Sequence, residues 1–167
     1  MLQINHLSVT HIRDLRPIVT DFSLVLQPGE KAAVIGEEGN GKSTLLKLIY
    51  DDSLVAGYAE WTGQILRGQN RLGYLPQELT PEEQAQTVQA YWSCRSPLSA
   101  PEEAALLKQL DLPEALATWD RPLSRLSGGE RIKLQLARLL TAQPDILLLD
   151  EPSNDLDIAT VTILEDY

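Results

Sequence analysis

The sequence predicts an α/β fold with an anion site at its strand ends, on the strength of three observations. Residues 36–43 read GEEGNGKS, between an apolar run at 32–35 and a helix-like run from Thr44. Residues 145–149, DILLL, have the unbroken apolar character of a buried parallel strand and lead directly into Asp150 and Glu151. Between these blocks, residues 81–126 shift to Glu, Gln, Ala and Leu, punctuated by Pro97, Pro101, Pro113 and Pro122, which predicts a helical subdomain.

In chain order, alternating apolar positions over 2–9 and 22–26 predict two strands. Pro28-Gly29-Glu30 then turns the chain into a strand at 31–35 that feeds the glycine loop. A largely buried helix is expected over 44–50, carrying Leu45, Leu46, Leu48 and Ile49. Short strands at 58–66 and 71–75 flank a turn around Gly68. After the helical subdomain, residues 131–140 place Ile132, Leu134, Leu136, Leu139 and Leu140 on or near one face of an amphipathic helix. Gln143-Pro144 ends it before the DILLL strand. The expected organisation is one domain, with residues 1–78 and 127–167 forming the core and β subdomain and 79–126 the helical subdomain.

The glycine loop has the chemistry of a phosphate cradle. Gly36, Gly39 and Gly41 allow backbone conformations closed to other residues, so successive N–H groups can turn toward an anion. The following helix adds its positive N-terminal end. Lys42 supplies a mobile charge for the β- and γ-phosphates, and the Ser43 hydroxyl is placed to ligate Mg²⁺. Glu37 and Glu38 must point away from the phosphates to avoid like-charge repulsion, and Asn40 and Thr44 complete the loop. The expected ligand is a nucleoside triphosphate with Mg²⁺; a ligand-free strand-to-helix turn is the bland alternative.

Asp150 and Glu151 stand at the C-terminal end of a strand, where ligands sit in open α/β sheets. Asp150 can hold Mg²⁺ directly or through water, and Glu151 can polarise a water for in-line attack on the γ-phosphate. Leu126-Ser127-Gly128-Gly129-Glu130 precedes the amphipathic helix and offers a second anion-binding helix start, or a capping sequence with Ser127 as N-cap.

At 167 residues the chain can bury about 70% of its unfolded surface without disulfides. Its one cysteine, Cys94, cannot form an internal bridge and suits a reducing cytosol. Neither a secretory leader nor an apolar stretch of membrane-spanning length is visible, so the expectation is a cytoplasmic protein without direct membrane insertion. The net charge of −10 disfavours a broad nucleic-acid footprint and requires any bound nucleotide to be held by local N–H groups, Lys42 and a metal.

GEEGNGKST, YLPQE at 74–78, LSGGE at 126–130 and ILLLDEPSNDLD at 146–157 together resemble the ATP-binding cassette (ABC) family in order and spacing. The resemblance implies a P-loop NTPase of ABC type, with a mixed core sheet, an antiparallel β subdomain and a helical subdomain. It also implies ATP and Mg²⁺ as cofactors and a head-to-tail pairing with a second cassette. Lys42, Ser43, Thr44, Gln77, Asp150 and Glu151 would act within one cassette, with Ser43, Gln77 and Asp150 toward the metal and Glu151, Gln77 and Lys42 in catalysis. Ser127, Gly128 and Gly129 would reach the γ-phosphate of the partner cassette, and Asp155 and Asp157 would lie in the loop linking the two sites. His11 falls where the family usually stacks an aromatic on adenine, although an ordinary surface histidine fits the same position.

SNDLDIATVTILEDY resembles the ABC-F branch, soluble twin-cassette proteins that act on ribosomes. The alternatives are the ATPase subunit of a membrane transporter and an ATP-dependent dimerisation module with little turnover. A complete cassette of the family continues through a further strand and a switch histidine, whereas His6 and His11 both lie far upstream. The chain is therefore expected to be a fragment, incomplete at its C-terminus, whose intact parent hydrolyses ATP while the segment alone is inactive.

Overall fold

The computed structural model describes residues 1–93, 97–113, 119–152 and 157–166. Cys94 and Asp155 lie outside the described residues. The chain divides into two compact units, Met1–Tyr74 and Leu75–Tyr167.

In the first unit, β1 (Leu2–His11) lies between β2 (Pro17–Leu26) and β3 (Ala59–Leu66) in a three-stranded antiparallel sheet ordered β2-β1-β3. Leu2, Ile4, Leu7 and Val9 of β1 are buried. The step from Ile4 to Leu7 breaks the simple alternation because β1 bulges there: its register shifts against both neighbours. His6 and Asp21 take left-handed φ values of 49°, and Gly63 of β3 takes 97°. A side chain at Gly63 would strike the backbone carbonyl of His6, so only glycine fits. The displaced N–H groups are satisfied across the strands, His6 N–H donating to Ser23 Oγ (2.9 Å) and Asp21 N–H to Ser8 Oγ (3.0 Å).

Helix α1 (Lys42–Tyr50) buries Leu45, Leu48 and Ile49, as its apolar content predicts. Its C-terminal carbonyls are met by Arg67, which donates from Nε to Ile49 O (2.6 Å) and from Nη2 to Leu48 O (2.8 Å). A cation there also complements the helix dipole. β2 begins five residues earlier than the apolar alternation predicts, at Pro17, because backbone pairing with β1 continues through Val19 and Pro17.

The predicted strand at 31–35 does not form. These residues have no regular secondary structure, and Ile35 is 93% exposed. An apolar run becomes a strand only where a neighbour completes its hydrogen-bond ladder, and no described strand lies beside this run.

The unit boundary falls inside β4 (Leu72–Leu75), whose last residue belongs to the second unit. There Leu75 O accepts from Asp150 N–H (3.0 Å), pairing the end of β4 with the end of β5 (Ile146–Leu149). Of the DILLL run only Leu148 is fully buried; with one strand neighbour among the described residues, the rest stay half-covered or exposed. The helices α2 (Pro81–Ala85), α3 (Val88–Trp92) and α4 (Ala100–Gln109) fall within the stretch of predicted helical composition, α5 (Gly128–Thr141) spans the amphipathic helix predicted at 131–140, and α6 (Ile158–Asp166) ends the described chain. Val88, Tyr91, Trp92, Leu107, Leu123 and Leu134 form the centre of this unit's core. Proline and a capping residue start α2 and α4: Thr80 with Glu83, and Ser99 with Glu102, close reciprocal capping boxes.

Candidate functional site

Gly39 and Gly41 adopt φ values of 79° and 83°, the left-handed region that lets consecutive amides point inward. Gly41 is the N-cap of α1, and the first turn of that helix carries no acidic side chain. An anion there would meet the positive helix end without a competing carboxylate in that turn. A side chain at Gly41 would collide with Ile18 Cγ2, so the start of β2 is pressed against the loop. Gly36 has open space beside it apart from Asn40, 3.8 Å from where a Cβ would lie.

Lys42 Nζ donates to the carbonyls of Gly36 and Glu37, both at 3.0 Å. The ammonium therefore lies over the loop it is expected to serve. Glu37 and Glu38 are exposed, like the rest of the loop at 27–40. His11 Nδ1 pairs with Asp14 Oδ1 (2.9 Å), and its ring lies 6.3 Å from Tyr58, tilted by 41°. Asp14 also accepts from Arg16 N–H (3.3 Å). That backbone bond, followed by the bond to His11, holds the Asp14 carboxyl below its ordinary value.

In the second unit Asp150 is buried, 2% exposed, and Glu151 follows it with φ 49°. A left-handed conformation at a non-glycine residue costs of order 1–3 kcal/mol and is concentrated at functional positions. Gln77, in the exposed segment after β4, donates from Nε2 to Glu151 Oε2 at 3.3 Å. The amide oxygen of Gln77 is thus turned away from the carboxylate. The structure brings these two predicted residues together.

Ser127 is the N-cap of α5. Its Oγ accepts from Glu130 N–H (3.3 Å), while Glu130 Oε2 accepts from Ser127 N–H and Oγ–H, both at 2.8 Å. LSGGE is therefore a full capping box, with Gly128 and Gly129 as the first two helical residues. The Ser127 N–H, then the Ser127 hydroxyl, hold Glu130 below its ordinary value, and Arg121 Nη2 adds an ion pair at 3.2 Å. Lys133, one turn into the same helix, pairs with Asp157 at 2.7 Å; Thr160 binds the other carboxylate oxygen through both N–H (2.8 Å) and Oγ1 (2.6 Å). The Lys133 contact has no signal in the motifs, because it depends on where α6 begins.

A glycine loop opening into a helix, a Lys laid over it and a strand ending in a buried Asp followed by Glu define a nucleotide-binding α/β protein. The chain belongs to the ABC transporter family: the family's model matches residues 19–154. It is 35% identical over 159 residues to the zinc import ATP-binding protein ZnuC of Cereibacter sphaeroides, covering 94% of this chain and 61% of that protein. It is 30% identical over 159 residues to the ribosome protection protein VmlR of Bacillus subtilis, covering 95% of this chain and 28% of that protein. Among solved structures it resembles a bacterial Atm1-family ABC exporter with ATP bound, with a TM-score of 0.71 and 27% identity over 98% of this chain and 31% of that one. The fold is thus the α/β ABC type. Among the described residues no helix is long and apolar enough to cross a membrane.

Proposed function

We propose that this chain is the ATP-binding part of a longer cytoplasmic protein of ABC-F type, which hydrolyses ATP as a head-to-tail pair of cassettes and acts on the ribosome. The observation that carries nucleotide binding is the loop itself, with left-handed Gly39 and Gly41 and Lys42 over its carbonyls. The backbone N–H groups would take the phosphates, and Lys42 would exchange the loop carbonyls for phosphate oxygens, a stronger charge-assisted bond. Ser127, Gly128 and Gly129 would serve the partner cassette's nucleotide, Asp155 and Asp157 would lie in the loop linking the two sites, and His11 would stack on the base.

Ser43, Asp150 and Gln77 would hold Mg²⁺. Their oxygen donors fit this hard cation, and the Gln77 amide leaves its oxygen for it by donating its nitrogen's proton to Glu151. When bound, Mg²⁺ neutralises charge on the phosphates. Glu151 would take a proton from the attacking water, oriented by the Gln77 bond.

The ribosome reading is supported by the stretch SNDLDIATVTILEDY and by the likeness to VmlR. The likeness to ZnuC favours a second reading, the ATPase subunit of a membrane transporter. Sedimentation of the intact protein, with Glu151→Gln in this cassette and the equivalent change in any second one, separates them. ATP-dependent association with ribosomes supports ABC-F. ATP bound without ribosome association shifts the assignment to the transporter subunit.

A further inference from the structure

The turn between β1 and β2 is built to hold one cation at the rim of the cradle. His11 N–H donates to Arg16 O (2.9 Å), closing the turn, and Asp14 Oδ1 takes both Arg16 N–H and His11 Nδ1. Two residues beyond Arg16, Ile18 abuts Gly41. The backbone of Arg16 is thus held within the turn on one side and lies two residues from the loop contact on the other. Its guanidinium reaches Gly39 O through Nη1 at 3.4 Å.

That bond is long, and a guanidinium has five N–H donors. Among the described residues it is the only hydrogen bond the Arg16 side chain makes, although its charge is also felt by the Asp14 carboxylate. Asp14 is committed to the turn. The side chain is exposed, so its remaining donors are open to a ligand. Lys42 likewise lies on loop carbonyls, those of Gly36 and Glu37. The loop's two glutamates make a further cation there electrostatically useful, since the triphosphate brings more negative charge to an already acidic segment.

We propose that Arg16 is a second cationic binding residue of the cradle, its guanidinium contacting the polyphosphate of the bound nucleotide. The role rests on the nucleotide-binding reading of residues 36–43 and adds a residue to it. A brace to Gly39 O needs only a neutral donor, whereas a phosphate contact needs the charge.

The test is equilibrium binding of ATP and of inorganic tripolyphosphate to the full-length protein, as wild type, Arg16→Gln, Arg16→Lys and Lys42→Ala. Arg16→Gln should weaken both ligands about tenfold, the loss of one charge-assisted hydrogen bond. Arg16→Lys should recover most of that affinity, and the difference between wild type and Arg16→Gln should shrink as salt is added. Wild-type affinity in Arg16→Gln overturns the proposal and leaves Arg16 a brace. So does a loss confined to ATP, which would place the contact on the base or ribose. A wild-type protein that binds neither ligand, or Lys42→Ala binding like wild type, overturns the cradle reading and the Arg16 role with it. Weakened binding in Lys42→Ala alone overturns only the Arg16 role.

Discussion

Gln77 and Glu151 are 74 positions apart in sequence, yet the Gln77 amide donates to the Glu151 carboxylate at 3.3 Å. The bond ties the residue proposed to polarise water to the one proposed to meet the metal. Its energetic weight is modest at this length and exposure; its value lies in orientation. Glu151→Gln should leave ATP affinity within a few-fold while abolishing turnover in the intact protein, since the side chain keeps its size but loses its basicity. Parallel measurement of bound ATP and released phosphate checks this; hydrolysis at the wild-type rate would remove Glu151 from the base role.

Lys42→Ala should act earlier in the cycle. Removing the ammonium deletes a charge-assisted contact worth about 1.5–3 kcal/mol, or roughly ten- to a hundredfold in ATP affinity. Calorimetric titration reads this directly, and the fold should be unaffected because the Nζ bonds are exposed.

Gly41→Ala should damage the loop for two separable reasons. The φ of 83° costs an alanine about 1–2 kcal/mol, and the new methyl meets Ile18. Adding Ile18→Ala to Gly41→Ala should therefore recover only part of the lost ATP affinity. Full recovery would assign the defect to the collision alone.

Ser127→Ala removes the N-cap of α5 and should cost about 1 kcal/mol of stability. Leu134→Ala, on the same helix and 0% exposed, should cost about 2–5 kcal/mol through the cavity it leaves. Urea unfolding of the two variants should give this order; the reverse order would show that the cap carries more of the second unit than its packing does.

Acid should weaken the second unit through its caps. Glu130 is held below its ordinary value of 4.5, chiefly by the Ser127 N–H, and Asp157 below its ordinary value of 3.8, chiefly by the Lys133 bond. For a depressed carboxyl the stabilisation is complete above the unfolded value and disappears as pH falls through the folded one. Stability should thus be level above pH about 4.5 and fall below it. Glu130→Gln and Lys133→Met should each flatten that acid-side decline in thermal melts from pH 6 to about 2; an unchanged slope in both would place the acid sensitivity elsewhere.

Local chemistry was enough to read the loop at 36–43, the helix after it, the capping sequence at 127–130 and the carboxylates at 150 and 151. Each depends on neighbours within a few residues: glycine's freedom of φ, a hydroxyl that reaches its own helix end, an apolar run closed by two acids. The strand expected at 31–35 failed for the opposite reason, because a strand exists only with a partner and an apolar pattern does not contain one. The bulge at His6, the Gln77–Glu151 bond, the Lys133–Asp157 pair and the approach of Arg16 to Gly39 had no readable signal either. The sequence by itself determined the glycine loop, the helix caps and the acid pair as local motifs; tertiary structure alone decided which side chains stand beside them, because those contacts join segments whose separation along the chain carries no record of their distance in space.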